Sequence, residues 1–303
     1  ISPSDAQSVV PDLPEFYDEP FSDSSQIPTY LVSRLARKHV TVSLSGDGGD
    51  ELFAGYNRYG LGYSAWKTAS RVPRPIKRAA SSLIGGLTRS QWDWLYSKME
   101  WTVPRKFRVR LPGYRIKTLS KMLETEDAQE FYSSLISHGG SGMVRDLERA
   151  RSRDLNTMSS DPPIAIGESF IERMMFWDTI GYMPEDILTK VDRASMAVSL
   201  EARVPLIDHR LVEFSWTLPL NYKLREGKGK WVLRELLARY VPRELFERPK
   251  MGFGIPLSKW LREELRDWAE DLLSEDRIRE EGIFDVLEVR KLWKEHLSGE
   301  MDW

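Results

Sequence analysis

Seven consecutive residues hold the densest chemistry in the chain: Ser45-Gly46-Asp47-Gly48-Gly49-Asp50-Glu51. The glycines let the backbone approach a ligand closely. They also point successive N–H groups inward, an anion-binding nest ahead of a helix N-terminus. Yet Asp47, Asp50 and Glu51 crowd carboxylates into the same turn, and carboxylates repel phosphate at short range. The combination suits a hard cation such as Mg²⁺ that bridges carboxylate and phosphate oxygens. It suits equally well a carboxylate that holds an amine nucleophile or takes its proton. A plain Gly/Asp turn, with Asp50 capping the next helix, is the third reading. Residue types alone leave all three open.

Lys250 is the second candidate. It lies in Arg248-Pro249-Lys250-Met251-Gly252-Phe253-Gly254-Ile255-Pro256, a loop stiffened by prolines and opened by glycines. An ammonium fixed there is a point charge suited to a leaving phosphate or an oxyanion; a solvated loop lysine is the bland alternative. The third group is Asp186, Lys190 and Arg193, followed by Glu201-Ala202-Arg203-Val204-Pro205 and Asp208. Asp186 and Lys190 are spaced to share a helix face, as are Lys190 and Arg193. As surface ion pairs they would contribute under ~1 kcal/mol each. Set among Val198, Leu200, Val204, Leu206 and Ile207, they read better as partly buried supports of an active-site wall. The run His138-Gly139-Gly140-Ser141-Gly142 follows a helical pattern rather than a strand, so it reads as a loop. The histidines (His39, His138, His209, His296) lack metal-ligand spacing.

The elements that must position these residues are legible in outline. Helical periodicity over Pro28–Lys38 is followed by Val40-Thr41-Val42-Ser43-Leu44, which predicts a buried strand. The glycine turn comes next, and Leu52-Phe53-Ala54 begins another helix. Helix, strand, glycine turn, helix is the grammar of a parallel α/β sheet at its ligand-binding edge. Residues 60–180 hold Trp66, Trp92, Trp94, Trp101 and Trp177 and few alternating patterns, which predicts a helical region. Glu185–Leu200 predicts a helix with Pro184 in its first turn. Gly227–Tyr240 predicts a second helix, and 258–297 a set of charged amphipathic ones.

Composition narrows the class. The chain has 303 residues, a formal net charge of −2 and no cysteine. That excludes disulfides, thiolate metal sites and a Cys nucleophile. The near-neutral charge excludes a globally basic nucleic-acid binder, and no apolar run approaches the ~18 residues of a membrane span. The start at Ile1 and the stop at Trp303 read as cut ends of a longer protein.

Together these segments resemble the synthetase domain of glutamine-hydrolysing asparagine synthetases. The resemblance rests on Tyr17-Asp18-Glu19-Pro20-Phe21, the Ser45–Glu51 loop, Glu201-Ala202-Arg203-Val204-Pro205 with Asp208, and the Lys250 loop, in the family's order along the whole chain. It implies an α/β fold, mostly helical in this stretch, around a parallel sheet of the ATP-pyrophosphatase (adenine nucleotide α-hydrolase-like) type. The implied reaction activates aspartate with ATP as an acyl-adenylate, releases pyrophosphate, and lets ammonia derived from glutamine attack. Asparagine and AMP are then the products. On this likeness Ser45, Gly46, Asp47, Gly48 and Gly49 bind ATP and Asp50 binds Mg²⁺. Lys250 steadies the pyrophosphate and the oxyanion, and Asp18–Ser25 lies near the acceptor. Asp47 guides the amine where many members carry Glu, a side chain one methylene longer. Glu51, Asp186, Lys190, Arg193, Glu201 and Arg203 support the site.

Two family features are missing from residues 1–303: the first nucleotide loop, Ser-Gly-Gly-x-Asp-Ser, and the glutaminase domain with its Cys nucleophile. The expectation is therefore a single synthetase-domain fragment, inactive alone, from a cytoplasmic enzyme. Its partners are small molecules and its own missing glutaminase domain, without nucleic acid or membrane; a homodimer is left open. Rival readings are a related amidating or β-lactam-forming synthetase acting on another carboxylate, and a non-catalytic binding module of the same fold.

Overall fold

The computed structural model describes residues 3–87, 89–99, 116, 120, 122–125, 127–136, 143–144, 169–247 and 254–302. The chain divides into two compact units, residues 1–61 with 156–255 and residues 62–155 with 256–303. Among the described residues helices dominate, and a small parallel sheet makes the first unit α/β. No described helix is long and apolar enough to cross a membrane.

In the first unit, α1 (Gln26–Arg37) leads into β1 (Val42–Leu44), and the glycine turn leads into the short α2 (Gly49–Leu52). α3 (Asn57–Ala69) begins here and continues into the second unit's sequence. α4 (Phe170–Trp177) starts on a reciprocal cap: the Ser169 hydroxyl accepts from the Glu172 N–H, and the Glu172 carboxylate accepts from the Ser169 N–H. It runs without a break into a π-helical stretch, Asp178–Leu188, and then into α5 (Thr189–Met196). β2 (Glu201–Arg203) lies parallel to β1, pairing Val42 with Glu201, Ser43 with Ala202 and Leu44 with Arg203. α5 packs on both α1 and β2, and the π-helical stretch packs on α2. Met174, Met175, Trp177, Leu52, Phe53 and Ala194 form the buried interior of this unit.

Three elements differ from their sequence expectations, each for a physical reason. Pro184 does not open a helix; it sits inside a continuous helical run. A proline there removes a backbone donor and crowds the carbonyl one turn back. The wider π turn accommodates this, and Thr189 Oγ1 donates to the Pro184 carbonyl at 2.9 Å. The Gly227–Tyr240 segment is helical over α6 (Trp231–Leu237) alone. Glu226, Gly227 and Lys230 take φ of 52°, 76° and 57°, values no right-handed helix admits. Finally, β1 is 37% exposed at Val42 and 74% at Leu44. Apolar composition marks the strand, but burial depends on what covers it, and among the described residues those side chains are uncovered.

The described residues of the second unit are mostly helical, with helices at Arg74–Gly85, Arg89–Met99, Ala128–Ile136, Leu257–Arg262, Arg266–Leu272, Glu275–Glu281 and Val286–Leu297, and an isolated antiparallel bridge joins Val144 to Phe284. Trp66 packs against Phe131, with ring centroids 5.3 Å apart. Ile278, Val286 and Val289 form a small core with Met143 and Leu273. The amphipathic helices expected over 258–297 are present. Trp101 and the His138–Gly142 run lie outside the described residues.

Candidate active site

The glycine turn is built where β1 ends. Ser45 N–H donates to the Arg203 carbonyl at 2.8 Å, so the sheet ladder extends one residue into the turn. The Ser45 hydroxyl then donates to the Asp47 carboxylate. Gly48 has φ +80°, and a side chain on it would lie 2.6 Å from Ile207 Cγ2 and 3.7 Å from Met183 Sδ. A side chain on Gly49 would meet Leu206 Cδ1 at 2.9 Å. Segments far apart in sequence therefore converge: the Ser45–Glu51 turn, the Pro205–Ile207 turn after β2, and the π-helical stretch.

The acidic residues of the turn separate into different environments. Asp47 is held by Ser45 and half-buried. Asp50 pairs with Lys230, 3.1 Å from the Lys230 ammonium. Glu51 is 1% exposed and accepts the Tyr56 hydroxyl at 2.6 Å. Burial pushes its carboxyl above the usual range, against the opposing pull of the Tyr56 hydrogen bond. Tyr56 in turn is pushed far up by burial and by the Glu51 charge.

An arginine organises the wall beside it. The Arg58 guanidinium lies 4.1 Å from the Tyr56 ring centroid and 4.6 Å from that of Tyr182, a stacked cation between two aromatic faces. Its fork donates to Asp178 at 2.7 Å, and the Tyr59 hydroxyl donates to the same oxygen at 2.6 Å. The π-helical register is what presents Tyr182, Met183 and Asp186 toward this wall.

A second cluster gathers on α5. Lys190 donates to Asp23 at 2.5 Å and lies 3.6 Å from Asp186. Burial pushes Asp23 up, but hydrogen bonds from Lys190 and Ser25 outweigh it and hold the carboxyl below its ordinary value. Asp186 is pushed up to about 6, first by burial and then by the negative charge of Asp23. Arg193 pairs with Asp18 at 3.0 Å. The loop between Asp18 and Ser25 is thus tied to α5 at both ends.

Of the residues singled out in the sequence, the Ser45–Glu51 turn meets Tyr56 through Glu51, with Arg58 stacked between Tyr56 and Tyr182, while Asp186 and Lys190 gather with Asp23. Glu201 and Arg203 pair with each other at 2.7 Å on an exposed strand face, and the Arg193–Asp18 pair is also exposed. Lys250 lies outside the described residues. The structure adds Lys230, Arg58, Tyr56 and Asp178. Lys230 carried a faint signal, the Gly227-Lys228-Gly229-Lys230 run, which resists a helix. Arg58 between Tyr56 and Tyr59 carried none.

Among the described residues no group of three or more His, Asp or Glu side chains is placed to hold a metal ion. A hard cation shared with phosphate oxygens needs only one or two carboxylates. Asp50 supplies one, and the Lys230 ammonium beside it shows that the position attracts positive charge.

Comparison with known proteins places this chain. The family model described as asparagine synthase matches residues 1–303. A putative glutamine-hydrolyzing asparagine synthetase of Mycobacterium tuberculosis (strain ATCC 25618 / H37Rv) is 30% identical over 305 residues, covering 100% of this chain and 43% of that protein. Glutamine-hydrolyzing asparagine synthetase 1 of Bacillus subtilis (strain 168) is 28% identical, covering 97% of this chain and 45% of that protein. Amidase chyE of Penicillium rubens is 23% identical over 84% of this chain and 38% of its own length. The chain thus spans less than half the length of these relatives, while the match to the family runs from its first residue to its last. The chain belongs to the asparagine synthase family.

Proposed function

We propose that this chain is the synthetase part of an ATP-dependent amidating ligase that converts aspartate to asparagine with ammonia derived from glutamine. The observation that carries the reading is the Asp50–Lys230 pair, a carboxylate and an ammonium 3.1 Å apart at the end of a parallel strand in a chain of this family. The β1–turn–α2 unit beside β2 supports a sheet of the ATP-pyrophosphatase type.

In this reading the Ser45–Gly46 backbone lies against the adenylate, where Gly46 leaves open space. Asp50 would hold a divalent cation, whose chemistry there would be to screen the phosphate charge and that of the departing pyrophosphate. Lys230, beside Asp50, and Lys250 supply further positive charge to the same group. The acceptor carboxylate attacks the α-phosphorus, and the bond to pyrophosphate breaks. Asp47 then holds the ammonia and takes a proton as the amine adds to the acyl carbon, and the acyl–oxygen bond breaks to release AMP. Asp18–Ser25, pinned by Lys190 and Arg193, borders the acceptor. Use of ATP supports a cytoplasmic location, and the ammonia comes from a glutaminase domain of the longer protein.

Radiolabelled ATP–pyrophosphate exchange tests this. Aspartate-dependent exchange is expected from the longer protein and not from the 303-residue chain, which lacks the family's first nucleotide loop. Exchange that depends on a different carboxylate would reassign the acceptor. Absence of any exchange, with no Mg·ATP binding by the longer protein, would favour a non-catalytic module.

A further inference from the structure

Two glycines outside the sequence motif lie at the Asp50–Lys230 pair: Gly55 against the pair itself and Gly229 against the backbone of Ala54 and Gly55. A side chain on Gly55 would collide with Asp50 Oδ1 and would lie 2.5 Å from Lys230 Cε and 2.9 Å from Asp50 Cγ. Gly55 N–H donates to the Asp50 carbonyl at 2.8 Å, which fixes it beside that residue. A side chain on Gly229 would collide with the Ala54 carbonyl oxygen and lie 3.0 Å from Gly55 Cα. Lys230 N–H donates to the Phe53 carbonyl at 2.7 Å, locking the two segments back to back. Neither Gly55 nor Gly229 has a positive φ. Both backbones are open to any residue, so the constraint on each comes from contact: with side-chain ends at Gly55 and with rigid backbone at Gly229. Ala54 and Lys230, one on each segment, carry φ of 53° and 57°, a strain that persists only where the surroundings enforce it.

We infer that Gly55 and Gly229 are positioning residues: they seat the Asp50 carboxylate and the Lys230 stem on bare backbone, and so fix where Asp50 presents its oxygens. Gly55 acts on the pair itself, because the obstacle it avoids is the pair. Gly229 acts on the approach of the two segments, because the obstacle it avoids is a carbonyl. The role of Asp50 toward a cation rests on the functional reading above; the seat does not.

The test separates the two. In the 303-residue chain, Gly55→Ala should lower the thermal midpoint by about 3 °C or more. That cost should vanish in an Asp50→Ala/Lys230→Ala background, where nothing fills the space. Gly229→Ala should cost as much in both backgrounds. Gly60→Ala, a position with nothing within 4 Å, should lower the midpoint in neither. A crystal structure of Gly55→Ala should show the Asp50 and Lys230 side chains more than about 4 Å apart, the limit of an ion pair. An equal Gly55→Ala cost in both backgrounds, or a pair left intact in that crystal structure, would overturn the seat. In the longer protein, Gly55→Ala should weaken Mn·ATP binding, read by calorimetry, about 10- to 100-fold, with Gly60→Ala unchanged. If the wild-type protein binds no Mn·ATP, the functional reading fails while the stability cycle still decides the seat.

Discussion

The Arg58 guanidinium donates to the buried carboxylate of Asp178 at 2.7 Å while lying between the rings of Tyr56 and Tyr182. This contact joins the start of α3 to the start of the π-helical stretch, and it leans on the tyrosine that holds Glu51. Asp178 is 1% exposed, so its charge depends on Arg58 and Tyr59 for compensation. Removing the cation leaves a buried carboxylate short of partners, a larger loss than the pair's own net worth. Arg58→Met should therefore destabilise the chain by about 2–4 kcal/mol in urea titration. Arg58→Lys should recover only part of this, because an ammonium lacks the planar fork and stacks less well. An Arg58→Met cost below about 0.5 kcal/mol, the level of an ordinary surface change, would contradict the assignment.

The Asp23–Lys190–Asp186 cluster predicts a pH signature. Asp186 titrates near 6 in the folded chain, against 3.8 for an ordinary aspartate. Below both values the group is protonated folded and unfolded, and it contributes nothing pH-dependent. Between them the folded chain holds the proton more tightly, so stability falls as pH rises from about 4 to about 6. Above that range the group carries its full cost. Asp186→Asn should therefore gain on wild type across this window by about 1–2 kcal/mol, discounted for the side chain's partial exposure, and the gain should level off above pH 6. Denaturant titrations at closely spaced pH read it; a gain that is flat from pH 4 to 7 would remove Asp186 as the titrating group.

Lys223 predicts the opposite slope. It is 1% exposed, its ammonium lies 4.5 Å from the Trp216 ring centroid, and burial lowers it to about 8 against an opposing pull from Glu172. Below pH 8 it is charged in both states, and the folded chain bears the desolvation cost. As pH rises from about 8 to 10.5 the folded group loses its proton first, and stability increases. Lys223→Met should stabilise the chain at pH 7 by about 1–2 kcal/mol, the desolvation relief less the lost cation–π contact. The gain should disappear by pH 10.5. Equal stabilisation at both ends of that range would mean that packing, not charge, sets the difference.

What was legible in the sequence was local. The Ser45–Glu51 turn declared itself because glycine spacing and carboxylates occur side by side in the chain, and the helix before it followed from periodicity. Lys230 carried only the faint signal of its glycine run because its partner Asp50 lies in a distant segment, and Arg58 carried none because its meaning depends on Tyr182 and Asp178 arriving from elsewhere. The π register was hidden for a different reason: Pro184 is as compatible with a helix start as with a widened turn, and only the helix already running through Phe170–Trp177 decides between them. Gly55 carries no signal of its own, since nothing in the sequence reveals that a carboxylate and a lysine stem come to rest on it.

The glycines of the turn finally separate what the fold needs from what a ligand needs. Gly48 combines φ +80° with a would-be contact of 2.6 Å to Ile207, so Gly48→Ala adds a left-handed backbone penalty to a steric one. A loss of about 2–4 kcal/mol is expected, without any ligand present. Gly46 has no positive φ and nothing within 4 Å, so Gly46→Ala should leave stability within about 0.5 kcal/mol of wild type. If the backbone there lies against a nucleotide, the added methyl occupies ligand space. Gly46→Ala should then cost at least about tenfold in Mg·ATP affinity of the longer protein, or roughly 1.4 kcal/mol. Parallel melting and calorimetry on the two variants read both quantities. A Gly46→Ala protein that melts like wild type and binds Mg·ATP like wild type would move the nucleotide away from this turn.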